Sequence, residues 1–287
     1  MQILVTGSNG QLGREIRKLS LENDLHKFTF IDFEDIDLTD AEKVEFFFQA
    51  NQPDIILHCA AYTAVDKAEQ ERELALEMNA SVPGHLAKIC QRTGAKLVHI
   101  STDYVFDGKN HTPYLESDHP DPQSSYGVSK LRGEEEILKQ NAQGLIIRTS
   151  WLYSEYGVNF VKTIHKKARE MKELRVVNDQ IGSPTYACDL ASTILQILPE
   201  IQNQNSMEIF HYSNEGVASW YDFAQAIVEI SGIQCKVIPI ETSELKQIAK
   251  RPFYSVLNKT KIKNRFDIAI PYWRDSLEKC LNIIHQD

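Results

Sequence analysis

The chain has 287 residues, of which 42% are hydrophobic and 25% are charged, with a formal net charge of −9. This length suits one large α/β unit, or one such unit with a small lobe. A net negative chain without a basic tract is a poor ligand for phosphate backbones, which argues against nucleic acid. No apolar run reaches the roughly 18 residues of a spanning helix, and the first residues do not resemble a signal peptide.

Five cysteines are spread widely along the chain. An odd number without a close pair argues against both a disulfide framework and a zinc site. Together with the composition, this spacing predicts a reduced, cytoplasmic protein that binds neither membranes nor nucleic acid.

The first half alternates short apolar runs with stretches of helical periodicity. Strands are predicted at residues 3–6, 28–32, 55–59, 97–101 and 145–148. Helices are predicted at residues 11–21, 41–50, 69–93 and 126–139, the third broken or kinked at Pro83. The strands are apolar on both faces, as they are where helices cover both sides of a sheet. The alternation predicts an α/β fold with a doubly wound parallel sheet.

After residue 150 the alternation is less regular. Strands are predicted at residues 175–178 and 237–240, and helices at residues 220–231 and 274–285. We expect residues 151–287 to form mainly a smaller, mixed α/β substrate-binding lobe, with some segments returning to the main sheet. Open α/β sheets bind ligands at the carboxyl ends of their strands, where such a lobe would lie.

A glycine-rich loop follows the first predicted strand. Gly7 would turn the chain off the strand, Gly10 would let a pyrophosphate approach the backbone, and Gly13 would let the next helix lie close to the sheet. That helix would direct free N–H groups at the phosphates. An ordinary strand–helix turn is the alternative. The loop predicts that residues 1–150 form an NAD(P)-binding Rossmann domain.

Asp32, at the end of the second predicted strand, bears on the choice of cofactor. A carboxylate there would accept hydrogen bonds from the adenosine ribose and repel a 2′-phosphate, which favours NADH. Arg14, just past the glycine loop, would attract that phosphate. The predicted cofactor is therefore NADH or NADPH, and the residues leave the choice open.

Tyr126 and Lys130 are four residues apart and would share one face of a helix. Reduction of a carbonyl group needs a proton donor, and a neighbouring ammonium would lower the phenol pKa from about 10 toward neutrality. Thr102, near the end of the fourth strand, would add a hydroxyl to the same crevice. The three residues predict a catalytic site for carbonyl reduction.

Several stretches resemble the extended short-chain dehydrogenase/reductases and, within them, the dTDP-4-dehydrorhamnose reductase family. The more specific stretches are residues 60–69, 101–106, 148–153, 178–185 and 251–252, which span most of the chain. The resemblance implies reduction of the 4-keto group of dTDP-4-dehydro-β-L-rhamnose by NADH or NADPH. The product, dTDP-β-L-rhamnose, is a precursor of cell-surface polysaccharide.

The resemblance also implies a set of residues for each ligand. The implied cofactor-binding residues are Gly7, Asn9, Gly10, Gln11, Leu12, Gly13, Asp32, Asp37, Leu38, Ala60, Ala61, Tyr62, Thr63, Tyr126 and Lys130. Thr102, Asp103 and Trp151 would contact the sugar, although a core position is the alternative for Trp151. Arg251 would pair with the diphosphate of the nucleotide sugar, or else lie on the surface.

Other side chains that could bind a ligand are interpreted as structural. His58 and His99 lie on predicted buried strands and are interpreted as core histidines. Some family members hold a divalent metal between subunits, and Glu15 and Asp189 would match two ligand positions. No carboxylate near the end of the chain clearly matches a third ligand position, so we predict no metal and a monomer or weak homodimer.

Three other functions are alternatives to the reductase. A nucleotide-sugar 4-epimerase would share the fold and the Tyr/Lys pair but would retain its NAD. A non-catalytic NAD(P)-binding regulatory subunit is disfavoured because Thr102, Tyr126 and Lys130 are all present. A 4,6-dehydratase would carry a second carboxylate after Asp103, where this chain has Tyr104.

Overall fold

The fold is built around a parallel sheet in a computed structural model that describes residues 1–22 and 25–285. The strands are β1 (Gln2–Thr6), β2 (Lys27–Ile31), β3 (Ile55–His58), β4 (Lys96–Thr102), β5 (Gln143–Thr149), β6 (Leu152–Tyr153), β7 (Glu173–Val177), β8 (Ile181–Gly182), β9 (Thr185–Tyr186), β10 (Met207–Tyr212), β11 (Ala218–Ser219) and β12 (Lys236–Ile240). Six of them form the main sheet in the order β10-β5-β4-β3-β1-β2, and all neighbours are parallel. The order reverses at β1, which makes this the switch point where open α/β sheets bind ligands.

Helices cover both faces of the main sheet. The α-helices of the described residues are α1 (Gln11–Ser20), α2 (Ala41–Asn51), α3 (Val65–Ala68), α4 (Arg72–Leu76), α5 (Val82–Thr93), α6 (Ser125–Lys139), α7 (Phe160–Glu170), α8 (Ala187–Gln202), α9 (Trp220–Ile230), α10 (Thr260–Phe266) and α11 (Trp273–Ile284). On one face, α1 and α8 pack together and bury Ile16 and Ile194. On the other face, α2 and α5 bury Phe48 and Leu86. The prediction of a doubly wound parallel sheet is confirmed.

The predicted elements of the first half are present with small differences at their ends. The five predicted strands correspond to β1–β5, whose ends differ from the prediction by at most two residues. The helix predicted over residues 69–93 is divided into α4, a π-helical turn at Glu77–Ser81, and α5. Pro83 lies in the first turn of α5. Because proline has no N–H and its ring crowds the preceding turn, a wider turn accommodates it within the helix.

The residues after 150 divide between the main sheet and a smaller group of elements. β10 and α8 belong with the main sheet, whereas α7, α9 and α11 pack with the parallel pair β7 and β12. An apolar cluster that includes Tyr153, Phe223 and Leu277 lies among the latter. The division at residue 150 into a Rossmann domain and a substrate-binding lobe stays a prediction. Within the described residues, every helix is too short or too polar to cross a lipid bilayer.

Candidate active site

A cleft with a volume of about 760 Å³ lies at the carboxyl ends of the parallel strands. Its walls come from the segments that follow β1 to β5, from α6, and from the start of α9. The residues predicted from the sequence that line this cleft are Gly7, Gly10, Gln11, Leu12, Gly13, Asp32, Asp37, Leu38, Ala60, Ala61, Thr63, Thr102, Asp103, Tyr126, Lys130 and Trp151. The fold therefore brings the predicted cofactor, catalytic and sugar residues together in one cleft.

Three predicted residues lie outside the lining of this cleft: Asn9, Tyr62 and Arg251. The phenol of Tyr62 donates a hydrogen bond of 2.5 Å to Glu71 Oε2. The guanidinium of Arg251 makes a bidentate ion pair with Asp66, at 2.7 and 3.1 Å. The Arg251 guanidinium, which was expected to bind the diphosphate, is therefore already paired with a carboxylate. The binding role of Arg251 stays a prediction.

The glycine loop has the tight geometry that a bound dinucleotide requires. Gly7 has a φ of +64°, and a Cβ atom there would lie 2.5 Å from the backbone nitrogen of Ala60. A Cβ atom on Gly13 would lie 2.4 Å from the carbonyl oxygen of Gly7. Helix α1 begins after Gly10 without a side-chain cap, which leaves room for phosphate at its positive end. The loop and the cleft around it fit NAD(P).

Asp32 is held at the end of β2 by the backbone of two neighbouring segments. Its Oδ2 accepts a hydrogen bond of 2.7 Å from Asn9 N, and its Oδ1 accepts one of 2.9 Å from Phe33 N. Arg14 contacts the same loop, where its Nε donates to Asn9 O at 3.0 Å. The site thus holds both an anion and a cation close to the loop, as the sequence indicated.

Tyr126 is placed in the cleft by a close approach between α6 and the segment after β4. A Cβ atom on Gly127 would lie 2.3 Å from the carbonyl oxygen of Tyr104, so only glycine permits this contact. Tyr126 and Tyr104 pack edge to face, with ring centroids 5.4 Å apart. The Thr102 hydroxyl donates to Asp103 Oδ1 at 3.1 Å. These contacts bring the phenol, the hydroxyl and a carboxylate into one wall of the cleft.

The expected lowering of the Tyr126 pKa is not found in the protein chain. Burial raises the pKa of Tyr126 to about 12, and the Asp103 carboxylate adds to this, while the Thr102 hydroxyl partly offsets it. The prediction failed because Tyr126 is half-buried in the cleft wall and the Lys130 ammonium is engaged by other acceptors. At neutral pH Tyr126 is therefore protonated and able to donate.

Lys130 is buried, and its ammonium contacts two acceptors on β4. Nζ donates to the carbonyl oxygen of Ile100 at 2.7 Å and lies 3.3 Å from His99 Nε2. Burial lowers the pKa of Lys130 to about 8, while the Glu134 carboxylate favours its charged form. The lysine is cationic at neutral pH.

The two strand histidines are buried, as predicted, but His99 also belongs to the surroundings of the site. The rings of His58 and His99 stack with centroids 5.3 Å apart. His99 contacts Lys130, and two residues further along β4 the hydroxyl of Ser101 donates to Glu134. Residues two apart on a strand and four apart on a helix each share a face, and this spacing would have indicated the contact from the sequence.

Asp103 supplies a buried carboxyl group to the cleft. Burial raises its pKa to about 6, and its Oδ2 has no hydrogen-bond partner among the described residues. A buried carboxylate without a full set of donors is costly, so a ligand that brings hydroxyl donors would stabilise it. A sugar has this chemistry.

Trp151 forms one wall of the cleft together with aromatic residues that the sequence analysis missed. Its backbone φ is +49°, an uncommon conformation for a residue with a side chain. The indole stacks on Trp220 at a centroid distance of 3.6 Å, and Trp220 packs on Phe160 at 4.5 Å. A Cβ atom on Gly182 would lie 2.7 Å from the Trp151 ring, so that glycine makes room for the indole.

The two carboxylates considered as metal ligands have other surroundings. Glu15 is buried near Glu155, and Asp189 Oδ2 accepts a hydrogen bond of 2.6 Å from Asn214 Nδ2. In the part of the chain that the structure describes, no three His, Cys, Asp or Glu side chains are grouped to hold a metal ion.

Comparison with known proteins identifies the family. The family model described as the RmlD substrate binding domain matches residues 1–286. The spore coat polysaccharide biosynthesis protein SpsK of Bacillus subtilis is 41% identical over 98% of this chain and 96% of its own length. A dTDP-4-dehydrorhamnose reductase structure from Clostridium acetobutylicum is 42% identical, with a TM-score of 0.94 over 99% of this chain and all of that one.

A second solved structure adds a bound cofactor. The dTDP-4-dehydrorhamnose reductase of Bacillus anthracis, solved in complex with NADP, is 38% identical. It superposes with a TM-score of 0.92, covering 98% of this chain and 99% of that one. Both halves of the chain are matched, including the cleft. The chain belongs to the dTDP-4-dehydrorhamnose reductase family.

Proposed function

We infer that this protein reduces the 4-keto group of dTDP-4-dehydro-β-L-rhamnose with NADPH or NADH to give dTDP-β-L-rhamnose. One observation carries the inference: the glycine loop, Thr102, Asp103, Tyr126 and Lys130 line a single cleft. Relatives named as this reductase match nearly the whole chain, and one was solved with NADP. The name of the Bacillus subtilis relative, a polysaccharide biosynthesis protein, agrees with the synthesis of a sugar precursor.

The glycine loop and the end of β2 would hold the cofactor. Gly7, Gly10 and Gly13 let the diphosphate approach the backbone at the N-terminus of α1, and Asp32 would face the adenosine ribose. When bound, the reduced nicotinamide supplies the hydride that the C4 carbonyl carbon of the sugar accepts. Lys130 would donate a hydrogen bond to the nicotinamide ribose.

Tyr126 is the general acid in this account. It is protonated at neutral pH and would transfer its phenolic proton to the substrate O4 as that oxygen gains negative charge. Thr102 would turn its single hydroxyl proton from Asp103 to the same oxygen and so orient the carbonyl. The Lys130 ammonium supplies a buried positive charge to the cleft, which favours the negative charge that develops there during the reaction.

The sugar would be oriented by a carboxylate on one side and an indole on the other. Asp103, which lines the cleft, would accept hydrogen bonds from hydroxyl groups of the ring. The Trp151 indole, which lines the cleft, would contact the sugar ring or the nicotinamide. These contacts fix C4 relative to Tyr126, and correct positioning of this kind contributes strongly to rate.

A steady-state assay tests the proposed function. Purified protein is mixed with NADPH or NADH and dTDP-4-dehydrorhamnose, with the corresponding UDP-sugar as the control. We expect cofactor oxidation with the dTDP-sugar and a product identified as dTDP-rhamnose by chromatography and mass spectrometry. A folded preparation that consumes no reduced cofactor with the dTDP-sugar would contradict the proposal.

A further inference from the structure

The surroundings of the Lys130 ammonium are unusually well defined for a lysine. The residue is 2% exposed, and its Nζ meets only two acceptors among the described residues, the Ile100 carbonyl oxygen at 2.7 Å and His99 Nε2 at 3.3 Å. An ammonium group has three N–H donors in a tetrahedral arrangement. Two acceptors on one strand therefore fix the direction of the third N–H, which is left for a ligand in the cleft.

His99 is suited to accept a hydrogen bond and unsuited to carry a charge. It is fully buried, and burial, together with Lys130 and His58, holds its pKa well below the ordinary value. The imidazole is therefore neutral at physiological pH. A cationic lysine can only donate, so the facing Nε2 of His99 must accept, and the ring proton must lie on Nδ1.

The other titratable groups near this contact do not take the place of His99 as the acceptor for the Lys130 ammonium. His58 stacks on the His99 ring, but its own Nδ1 lies 2.7 Å from Thr6 Oγ1. Glu134, one helical turn after Lys130, is bound by Arg148 in a buried bidentate ion pair. Cys59 lines the cleft, and burial raises the pKa of its thiol to about 12, so it carries no charge at neutral pH.

We propose that His99 is a positioning residue for the reductase reaction: as a neutral Nδ1–H imidazole, it accepts a hydrogen bond from Lys130 and, with the Ile100 carbonyl, aims the ammonium into the cleft. This proposal rests on the proposed function, because it assigns His99 a role through Lys130. His99 itself lies outside the lining of the cleft. Its loss would let the ammonium rotate or lose its proton while the binding sites stay intact.

The contact is tested first without turnover, by ¹H–¹⁵N spectroscopy of the histidine rings. Protein labelled at histidine is measured between pH 6 and 9, and the His99 signals are assigned with His99→Gln. We expect a neutral ring with its proton on Nδ1 around pH 7, and a changed Nε2 signal in Lys130→Met. A charged ring, an Nε2–H tautomer around pH 7, or signals unaffected by Lys130→Met would overturn the proposal.

Kinetics then test the consequence. His99→Leu removes the acceptor at similar volume, and His99→Gln returns an acceptor oxygen. For His99→Leu we expect kcat to fall about tenfold while KM for the nucleotide sugar stays within about twofold. The basic limb of the kcat/KM profile should move about one pH unit lower, because a hydrogen bond to the ammonium favours the cation. His99→Gln should recover most of both effects.

His58→Leu is the matched control, since it removes a stacked, buried imidazole from the adjacent strand without touching Lys130. It should leave the pH profile unchanged. If His58→Leu and His99→Leu shift the profile equally, or if His99→Leu shifts nothing, the positioning role is wrong. If the wild type shows no reductase turnover, the proposed function fails instead, while the spectra still report on the contact. If His99→Leu does not fold, His99→Gln and the spectra decide.

Discussion

Tyr126 is the residue whose hydroxyl can be removed with the least disturbance to the cleft. Because the phenol supplies only a proton, Tyr126→Phe should lower kcat by about 10² or more. Cofactor affinity and thermal stability should change little. The measurements are turnover, cofactor binding by fluorescence, and the melting temperature.

Tyr104→Phe is the matched control for this prediction. Tyr104 is a cleft tyrosine that packs edge to face against Tyr126. The loss in turnover should be much smaller than for Tyr126→Phe. Near-full turnover in Tyr126→Phe would remove Tyr126 from the mechanism.

Asp32 should set the preference between the two cofactors. If its carboxylate faces the adenosine ribose, the 2′-phosphate of NADPH approaches a like charge, at a cost on the order of a few kcal/mol before screening. We expect the wild type to use NADH at least as well as NADPH, and Asp32→Ala to shift the ratio of kcat/KM values about tenfold or more toward NADPH. Both ratios are measured at one salt concentration.

Glu34→Gln is the control for Asp32→Ala, because it removes a neighbouring carboxylate that lies outside the lining of the cleft. Its ratio should stay close to that of the wild type. An unchanged ratio in Asp32→Ala would show that Arg14 or Asp37 has the larger influence on the 2′ position.

Asp103 should give the enzyme an acid limb in its pH profile. Burial raises its pKa to about 6, and only the ionised form can accept hydrogen bonds with both oxygens. We therefore expect kcat/KM to fall below about pH 6. Asp103→Asn should remove this limb and lower kcat/KM by about tenfold at neutral pH. A variant that retains the same limb would show that another group titrates there.

Helix α1 contacts the segment after β6 through two neighbouring carboxyl groups, those of Glu15 and Glu155. Glu15 on α1 is fully buried, and burial together with the nearby Glu155 carboxylate raises its pKa. Lys18, one turn later, forms a salt bridge of 3.0 Å with Glu155. Asn159 donates to Gln11 at 2.9 Å, so the cofactor loop and this segment are linked at both ends of α1.

Glu15 should make the protein less stable as the pH rises. The unfolded chain releases this proton above its ordinary pKa, whereas the folded chain retains it to higher pH, so the free energy of unfolding falls between these two values. From pH 6 to pH 8, the free energy of unfolding of the wild type should fall by about 1–2 kcal/mol more than that of Glu15→Gln. Urea unfolding at both pH values, with the exposed Glu22→Gln as control, measures this. Parallel behaviour of wild type and Glu15→Gln would contradict the raised pKa.

The strands and longer helices of the first half were predictable because each has a local cause in the sequence, whereas β10, α7, α8 and α10 were not predicted. Strands β1 to β5 are apolar on both faces, and the glycines of the first loop mark a turn that no other residue can make. The left-handed conformation of Trp151 was not predictable, because it depends on space left by Gly182 from a distant segment. The contact of His99 with Lys130 depends on how α6 packs on β4.

For the whole molecule, both halves of the chain are needed to complete the cleft. The first half supplies the glycine loop and Tyr126, and the second supplies Trp151 and Trp220. The ion pair between Asp66 and Arg251 joins the two halves on the same side of the sheet. A reductase with this cleft transfers a hydride from its cofactor to the product, and the oxidised cofactor then dissociates. An epimerase instead restores its cofactor in each catalytic cycle.

The most direct measurement is transfer of deuterium from NADPH labelled at C4 of the nicotinamide. The protein is incubated with dTDP-4-dehydrorhamnose and each of the two C4-deuterated forms, and the product is examined by NMR and mass spectrometry. We predict one deuterium at C4 of dTDP-rhamnose from one of the two forms, with one NADPH oxidised per product formed. A sugar product without deuterium from either form, or product formation without net oxidation of NADPH, would contradict the assignment as a reductase.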